Sequence, residues 1–128
     1  MLTIIIPVYN EENTILKILK KIEMQKYVKK QIIIIDDCST DSSLKKIREF
    51  KFKSKFNILT HKKNYGKGAC IISGKKYVRG DIVIIQDADL EYYPEDYKKI
   101  LYSLGCSLKI LLNVLEVLLK LLVKEYGI

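Results

Sequence analysis

The sequence predicts an α/β fold in which a mainly parallel sheet is covered by helices on both faces. Three observations carry this. Apolar runs rich in β-branched residues, at 2–8, 31–35, 56–60 and 82–85, alternate with segments of helical spacing. These runs are mostly continuous rather than alternating, the pattern of strands buried on both faces. Three of them also stop abruptly in polar clusters, 7–12, 36–41 and 87–91. On a parallel sheet built from right-handed crossovers, ligands lie beyond the carboxyl ends of the strands, near the point where strand order reverses.

The first strand is followed by a helix whose face carries Ile15, Ile18, Leu19 and Ile22, with Asn10 or Asn13 expected to cap it. After the second strand comes a helix carrying Leu44, Ile47 and Phe50, for which Ser39 is the expected N-cap. The third strand leads through the polar loop 61–68 into a helix expected over 69–78. Beyond the fourth strand, Pro94 suits the first turn of a helix, with Glu95 and Asp96 placed against the positive end of its dipole.

Composition narrows the function classes. The chain has 128 residues, 48% of them hydrophobic and 30% charged, as in a soluble globular domain. The net charge of +8 invites nucleic acid as a partner, but the lysines are spread in pairs along helices rather than gathered in one stripe between aromatics. A solvated surface, compatible with attraction to anionic lipid, is the expectation, and no nucleic-acid partner is. Cys38, Cys70 and Cys106 are odd in number and widely spaced, with His61 as the sole histidine. That spacing indicates neither a zinc site nor a disulfide framework, and reduced thiols in the cytoplasm are expected. The amino terminus has no charged leader, and no apolar run reaches the roughly 20 residues of a membrane span.

The acidic cluster after the fourth strand carries the chemistry. Side chains alternate along an extended chain, so Asp87 and Asp89 project to one side while Ala88 points to the other. Two carboxylates with a common target suit a hard dication such as Mg²⁺ or Mn²⁺, which is commonly shared with substrate phosphates. An Asp-x-Asp is equally at home in an ordinary turn, and acids after both the second and the fourth strand tip the balance toward a cation or ribose site. Tyr9 offers a flat face for a base, while Glu11 and Asp36 can accept hydrogen bonds from base or ribose. Asp37 points away from Asp36 in an extended backbone and takes a cap or loop role. Lys67, between Gly66 and Gly68, can meet a phosphate or simply begin a helix, and its loop lacks P-loop spacing.

Four motifs in order, Ile5-Ile-Pro-Val-Tyr-Asn-Glu-Glu12, Ile34-Ile-Asp-Asp-Cys-Ser-Thr-Asp41, Asn64-Tyr-Gly-Lys-Gly-Ala69 and Gln86-Asp-Ala-Asp-Leu-Glu-Tyr-Tyr-Pro-Glu-Asp96, resemble family 2 glycosyltransferases, most closely the dolichol-phosphate or polyprenyl-phosphate sugar transferase branch. The resemblance covers about residues 2–102 and implies the Rossmann-like, three-layer, nucleotide-sugar-binding half of a GT-A fold. It implies that Pro7, Tyr9, Glu11, Ile34, Asp36, Asp87, Ala88 and Asp89 bind the nucleotide sugar. It further implies that Asp87, Asp89 and Glu91 hold Mg²⁺ or Mn²⁺, and that Asp89 is the catalytic residue nearest metal and sugar. The implied reaction is inverting transfer of a hexose from a UDP- or GDP-linked donor to a polyprenyl phosphate, at the cytoplasmic face of a membrane with peripheral contact. Where the family often has glycine, this chain has Cys38.

The resemblance stops after Tyr102. Residues 103–128 instead show a leucine stripe, Leu108, Leu111, Leu112, Leu115, Leu118, Leu119 and Leu122, opposed by Lys109, Asn113, Glu116, Lys120 and Lys124. This is an amphipathic helical tail rather than a separate domain, suited to a core, to self-association or to a membrane surface. The abrupt change leads to the expectation of a truncated or frame-shifted chain lacking the acceptor half. A nucleotide-sugar-binding fragment without transferase activity is the alternative. A phospho-signalling receiver domain would need its acid pair after the first strand, where Pro7-Val-Tyr-Asn stands.

Overall fold

A computed structural model describes residues 1–26, 28–89, 94 and 97. The expected metal ligand Glu91, the helix-start acids Glu95 and Asp96, and the tail helix over 103–128 lie outside the described residues. In order, the elements are β1 (Leu2–Val8), α1 (Ile15–Glu23), β2 (Lys30–Asp36), α2 (Ser43–Glu49), β3 (Lys55–Thr60), α3 (Lys67–Lys75) and β4 (Ile82–Ile85). The strands form one parallel sheet in the order β3-β2-β1-β4. This is the parallel α/β arrangement the sequence predicts.

The continuous isoleucine runs place β1 and β2 at the centre, where every β2 residue is buried, while β3 at one edge is half exposed. Alternate side chains of the same strands feed two cores. Ile4, Ile6, Val8, Ile32 and Ile34 pack with Ile15, Ile18, Leu19 and Ile22 of α1 and Ile47 of α2. Ile5, Ile33 and Ile35 pack on the other face with Cys70 of α3. Three layers result. The chain adds β2 and β3 on one side of β1, then crosses back and adds β4 on the other, so α3 lies on the face opposite α1 and α2.

Helix starts depart from the expected caps. Thr14 precedes α1 and Ser42 precedes α2, and neither makes a side-chain capping bond. Asn10 and Ser39 are used instead to join two loops, because Asn10 takes the left-handed conformation (φ 51°) that turns its amide away from α1. Helix α3 begins two residues before the expected 69, since Gly66 (φ 93°) permits the sharp turn that starts it directly. It also ends early, at Lys75, and Val78 packs under the sheet from the following turn. No helix among the described residues is long and apolar enough to cross a membrane.

Candidate functional site: a crevice at the strand-order reversal

The loops after β1 and β2 are laced together. The Asn10 side-chain oxygen accepts from the backbone N–H of Thr40 at 2.8 Å and of Asp41 at 3.3 Å, while the Asn10 N–H donates to Ser39 Oγ at 3.0 Å. Next, the Glu11 N–H donates to Ser43 Oγ at 2.8 Å and the Glu12 N–H to Asp41 at 3.2 Å. Partial burial alone would raise the Asp41 carboxyl; hydrogen bonds from Ser43 and Glu12 outweigh it and hold the group below its ordinary value. Tyr9 is thereby displayed at the strand exit, 45% exposed, with its backbone fixed on both sides.

The two acids ending β2 face opposite sides of the sheet, as the period of a strand requires. Asp36 is buried; its Oδ2 accepts from the Ser39 N–H at 3.2 Å, and its Oδ1 is a buried oxygen with no hydrogen-bond partner among the described residues. Such a vacancy costs about 1–3 kcal/mol and suits an N–H or O–H supplied by a ligand. Asp37 is equally buried but fully engaged. It accepts from His61 Nδ1 at 2.7 Å, from the Tyr65 N–H at 3.0 Å and from the Gly66 N–H at 2.8 Å. It thus folds the loop that delivers Lys67. His61 is fixed from its far side by Ser73 Oγ, 2.8 Å from Nε2.

The loop after β4 is fastened at three points. The Gln86 N–H donates to the Ile5 carbonyl at 2.9 Å, the buried Gln86 side chain accepts from Tyr97 Oη at 2.6 Å, and Thr14 Oγ1 donates to the Ala88 carbonyl at 2.5 Å. The Thr14 oxygen also lies 3.0 Å from Glu11, so one hydroxyl couples the β1 and β4 exits. Ala88 points inward and is buried, whereas Asp89 is exposed and Asp87 forms an ion pair with Lys67 of α3.

These exits enclose a crevice of about 180 Å³, between β1 and β4, where the strand order reverses. It brings together six of the predicted binding residues, Pro7, Tyr9, Glu11, Asp87, Ala88 and Asp89. Two predicted residues do not line it. Ile34 is fully buried in the core, and Asp36 sits beside Val8 in the ladder but faces the α1 side. Sequence reasoning missed Val8, Asp37 and Cys70 as lining residues; Lys67, weighed as a phosphate contact, is on the wall as well. Four carboxylates, Glu11, Asp37, Asp87 and Asp89, face one ammonium, which makes the crevice a place for a cation. Burial, then the nearby Asp37 and Asp36 charges, push the Cys70 thiol up to about 12.

Comparison with known proteins identifies the family and the fold. The profile of Glycosyl transferase family 2 matches residues 3–105. An undecaprenyl-phosphate 4-deoxy-4-formamido-L-arabinose transferase of Pseudomonas fluorescens is 35% identical over 103 residues, covering 77% of this chain and 30% of that protein. A dolichol-phosphate mannosyltransferase of Pyrococcus furiosus is 28% identical, covering 80% of this chain and 29% of its own length. The chain thus spans between 29% and 45% of the length of these and similar curated relatives. Among solved structures, S. aureus TarS in complex with UDP-GlcNAc superposes over 81% of the chain and 31% of TarS with a TM-score of 0.72 at 24% identity, which is a likeness of fold. The mannosyltransferase PcManGT of Pyrobaculum calidifontis, in complex with GDP-Man and Mn²⁺, superposes over 69% of this chain and 27% of its own, with a TM-score of 0.65 and 28% identity. The fold is that of the GT-A glycosyltransferases, and the chain belongs to glycosyltransferase family 2.

Proposed function

We propose that this chain is the donor-binding half of a hexosyltransferase that passes a sugar from a nucleoside diphosphate to a polyprenyl phosphate. The observation that carries the reading is the convergence of Asp87 and Asp89 with Tyr9 in the crevice at the strand-order reversal. The crevice volume is below the roughly 300–1,000 Å³ of a pocket for a whole drug-sized ligand. It matches a diphosphate and its counter-ion, with the base laid along Tyr9.

The residues fit a divalent cation. Asp87 and Asp89 supply only oxygen donors, the set that suits Mg²⁺ or Mn²⁺, with Glu91 as the expected third ligand. When bound, such an ion offsets the negative charge that gathers on the departing diphosphate. Tyr9 stacks on the base at an angle set by Pro7 and the clamped loop. Glu11 accepts from ribose hydroxyls within the crevice, and Asp36 Oδ1, beyond its wall, accepts from the base N–H where the nucleotide extends toward the loop after β2. Lys67 turns from Asp87 to a phosphate oxygen. Ala88, small and buried, lets the turn approach the diphosphate closely, while Ile34 backs Asp36 from the core rather than touching ligand. Asp89, exposed at the rim, is the catalytic carboxylate nearest the sugar. An acceptor phosphate is already an anion at neutral pH, so the chain need not supply a strong base. A lipid-linked acceptor would bring the chain to a membrane surface, and we read that surface as the cytoplasmic one.

Calorimetric titration with UDP and GDP, with and without Mn²⁺, tests the reading. Wild type should bind one of them only with metal, and Asp89→Ala should abolish that signal; equal affinity of both proteins refutes the site. Metal-dependent binding with no sugar transferred to polyprenyl phosphate would identify a binding module instead.

A further inference from the structure

The spacing of cysteines and histidine in the sequence gives no sign of a zinc site, yet the fold gathers three different donors behind the crevice. We propose that Asp37, His61 and Cys70 form a second metal site, selective for a zinc-class dication and separate from the all-oxygen pair Asp87 and Asp89. The proposal is independent of the donor reading.

The donor atoms of these three residues all lie within 4.8 Å of one another. His61 Nδ1 is 2.7 Å from Asp37 Oδ1 and 4.0 Å from Cys70 Sγ. Around a tetrahedral Zn²⁺, bond lengths of about 2.0–2.3 Å put neighbouring donors roughly 3.3–3.6 Å apart. The first distance opens and the second closes by about half an ångström each, and the Asp37 to Cys70 separation, within 4.8 Å, closes by up to about 1 Å, a shift within reach of a Cys70 rotation, to accommodate the ion. One oxygen, one imidazole nitrogen and one thiolate form a softer set than two carboxylates, which is how the two sites would sort metals between them.

The surroundings support the same reading. Ser73 Oγ, 2.8 Å from His61 Nε2, can accept a hydrogen bond as readily as donate one. When Nδ1 turns its lone pair to the metal, the ring proton moves to Nε2 and is received by Ser73, an outer partner of the kind that orients metal-bound histidines. Asp37 keeps its Gly66 N–H bond on Oδ2 while Oδ1 ligates. Asp37 and Cys70 both line the crevice wall although each is nearly fully buried, so an ion enters by a small local opening of that wall and its fourth position faces the crevice. As the sulfur–metal bond forms, the thiol proton passes to buffer; no oxidant or reductant is involved.

The test uses the full chain and CoCl₂, because Co²⁺ reports thiolate ligation by a charge-transfer band and tetrahedral geometry by intense d–d bands. Wild type should show both, and Zn²⁺ should displace them. Cys70→Ser should lose the charge-transfer band, while the Cys38→Ser/Cys106→Ser double variant and Asp87→Asn keep it. Ser73→Ala should weaken Co²⁺ binding by about 10–100-fold. If Cys70→Ser fails to fold by circular dichroism, His61→Gln decides, with the d–d bands expected to collapse. Absence of the bands in folded wild type, their survival in Cys70→Ser, or undiminished affinity in His61→Gln overturns the proposal.

Discussion

Lys67 and Asp87 meet across the crevice as an ion pair, joining the first turn of α3 to the acidic turn after β4. The pair is part exposed, at 53% and 23% of the two side chains, so it is worth about 0.2–1 kcal/mol. A cation arriving at Asp87 must displace the ammonium. Lys67→Ala is therefore expected to raise the Mn²⁺ affinity of the nucleotide-free chain by up to about fivefold. The same change should lower affinity for a nucleoside diphosphate, since the displaced lysine is then missing from the phosphate. Titrations of Mn²⁺ and of UDP and GDP into both proteins check the two directions separately.

Cys38 stands where the related family often has glycine, and it adopts φ 61°. A side chain in that left-handed region costs about 1–2 kcal/mol. Glycine removes the strain but gives back roughly 0.5–1 kcal/mol of backbone entropy. The weak contact from Cys38 Sγ to the Lys62 carbonyl, 3.5 Å, is a small further loss. Cys38→Gly should stabilise the chain by up to about 1 kcal/mol, read from urea unfolding.

Cys70 holds its proton far longer in the folded chain than in the unfolded one, because burial and then the Asp37 and Asp36 charges raise its pKa from 9.0 to about 12. That difference stabilises the fold fully below pH 9 and is lost progressively as the pH rises toward 12. Unfolding midpoints should fall more steeply above pH 9 in wild type than in Cys70→Ala. In a Cys106→Ser background at pH 8, a thiol reagent should modify Cys38 and leave Cys70 intact until the chain is unfolded.

Gly80 lies where a Cβ would sit on the Met1 carbonyl oxygen and the Thr3 hydroxyl, and 2.9 Å from the Thr3 nitrogen. Two of these atoms already accept, from the Gly80 N–H at 3.0 Å and from the Asp81 N–H at 3.0 Å. No flexible side chain can yield there, so Gly80→Ala must shift backbone. A loss of about 1–3 kcal/mol in thermal or urea unfolding is expected.

Much of this architecture is legible in the sequence because the isoleucine runs at 2–8 and 31–35 leave little choice but a sheet covered on both faces. The approach of Tyr9 to Asp87 and Asp89 is legible too, since all three end strands that point the same way. Period two also says that Asp36 and Asp37 face apart. It does not say which of them borders the crevice, because that depends on α3 packing on the face opposite α1, a consequence of the strand order reversing after β3. Asp37, His61 and Cys70 escape notice for the same reason, being separated by 24 and 9 residues with no spacing that a local motif would show. Asn10 and Ser39 read as helix caps because their chemistry is the same; only the positive φ of Asn10 redirects both to the neighbouring loop.

The ladder between β1 and β4 also sets a timetable for biosynthesis. Met1 and Asp81 touch although 80 positions separate them, and the acids of the last turn follow directly after. A nascent polypeptide that has cleared the ribosome only through β3 already owns the aromatic platform at Tyr9 but neither rim carboxylate. The proposed grip on a sugar nucleotide therefore cannot form until β4 has paired with β1, which makes the site one of the last features of the described residues to be assembled during synthesis.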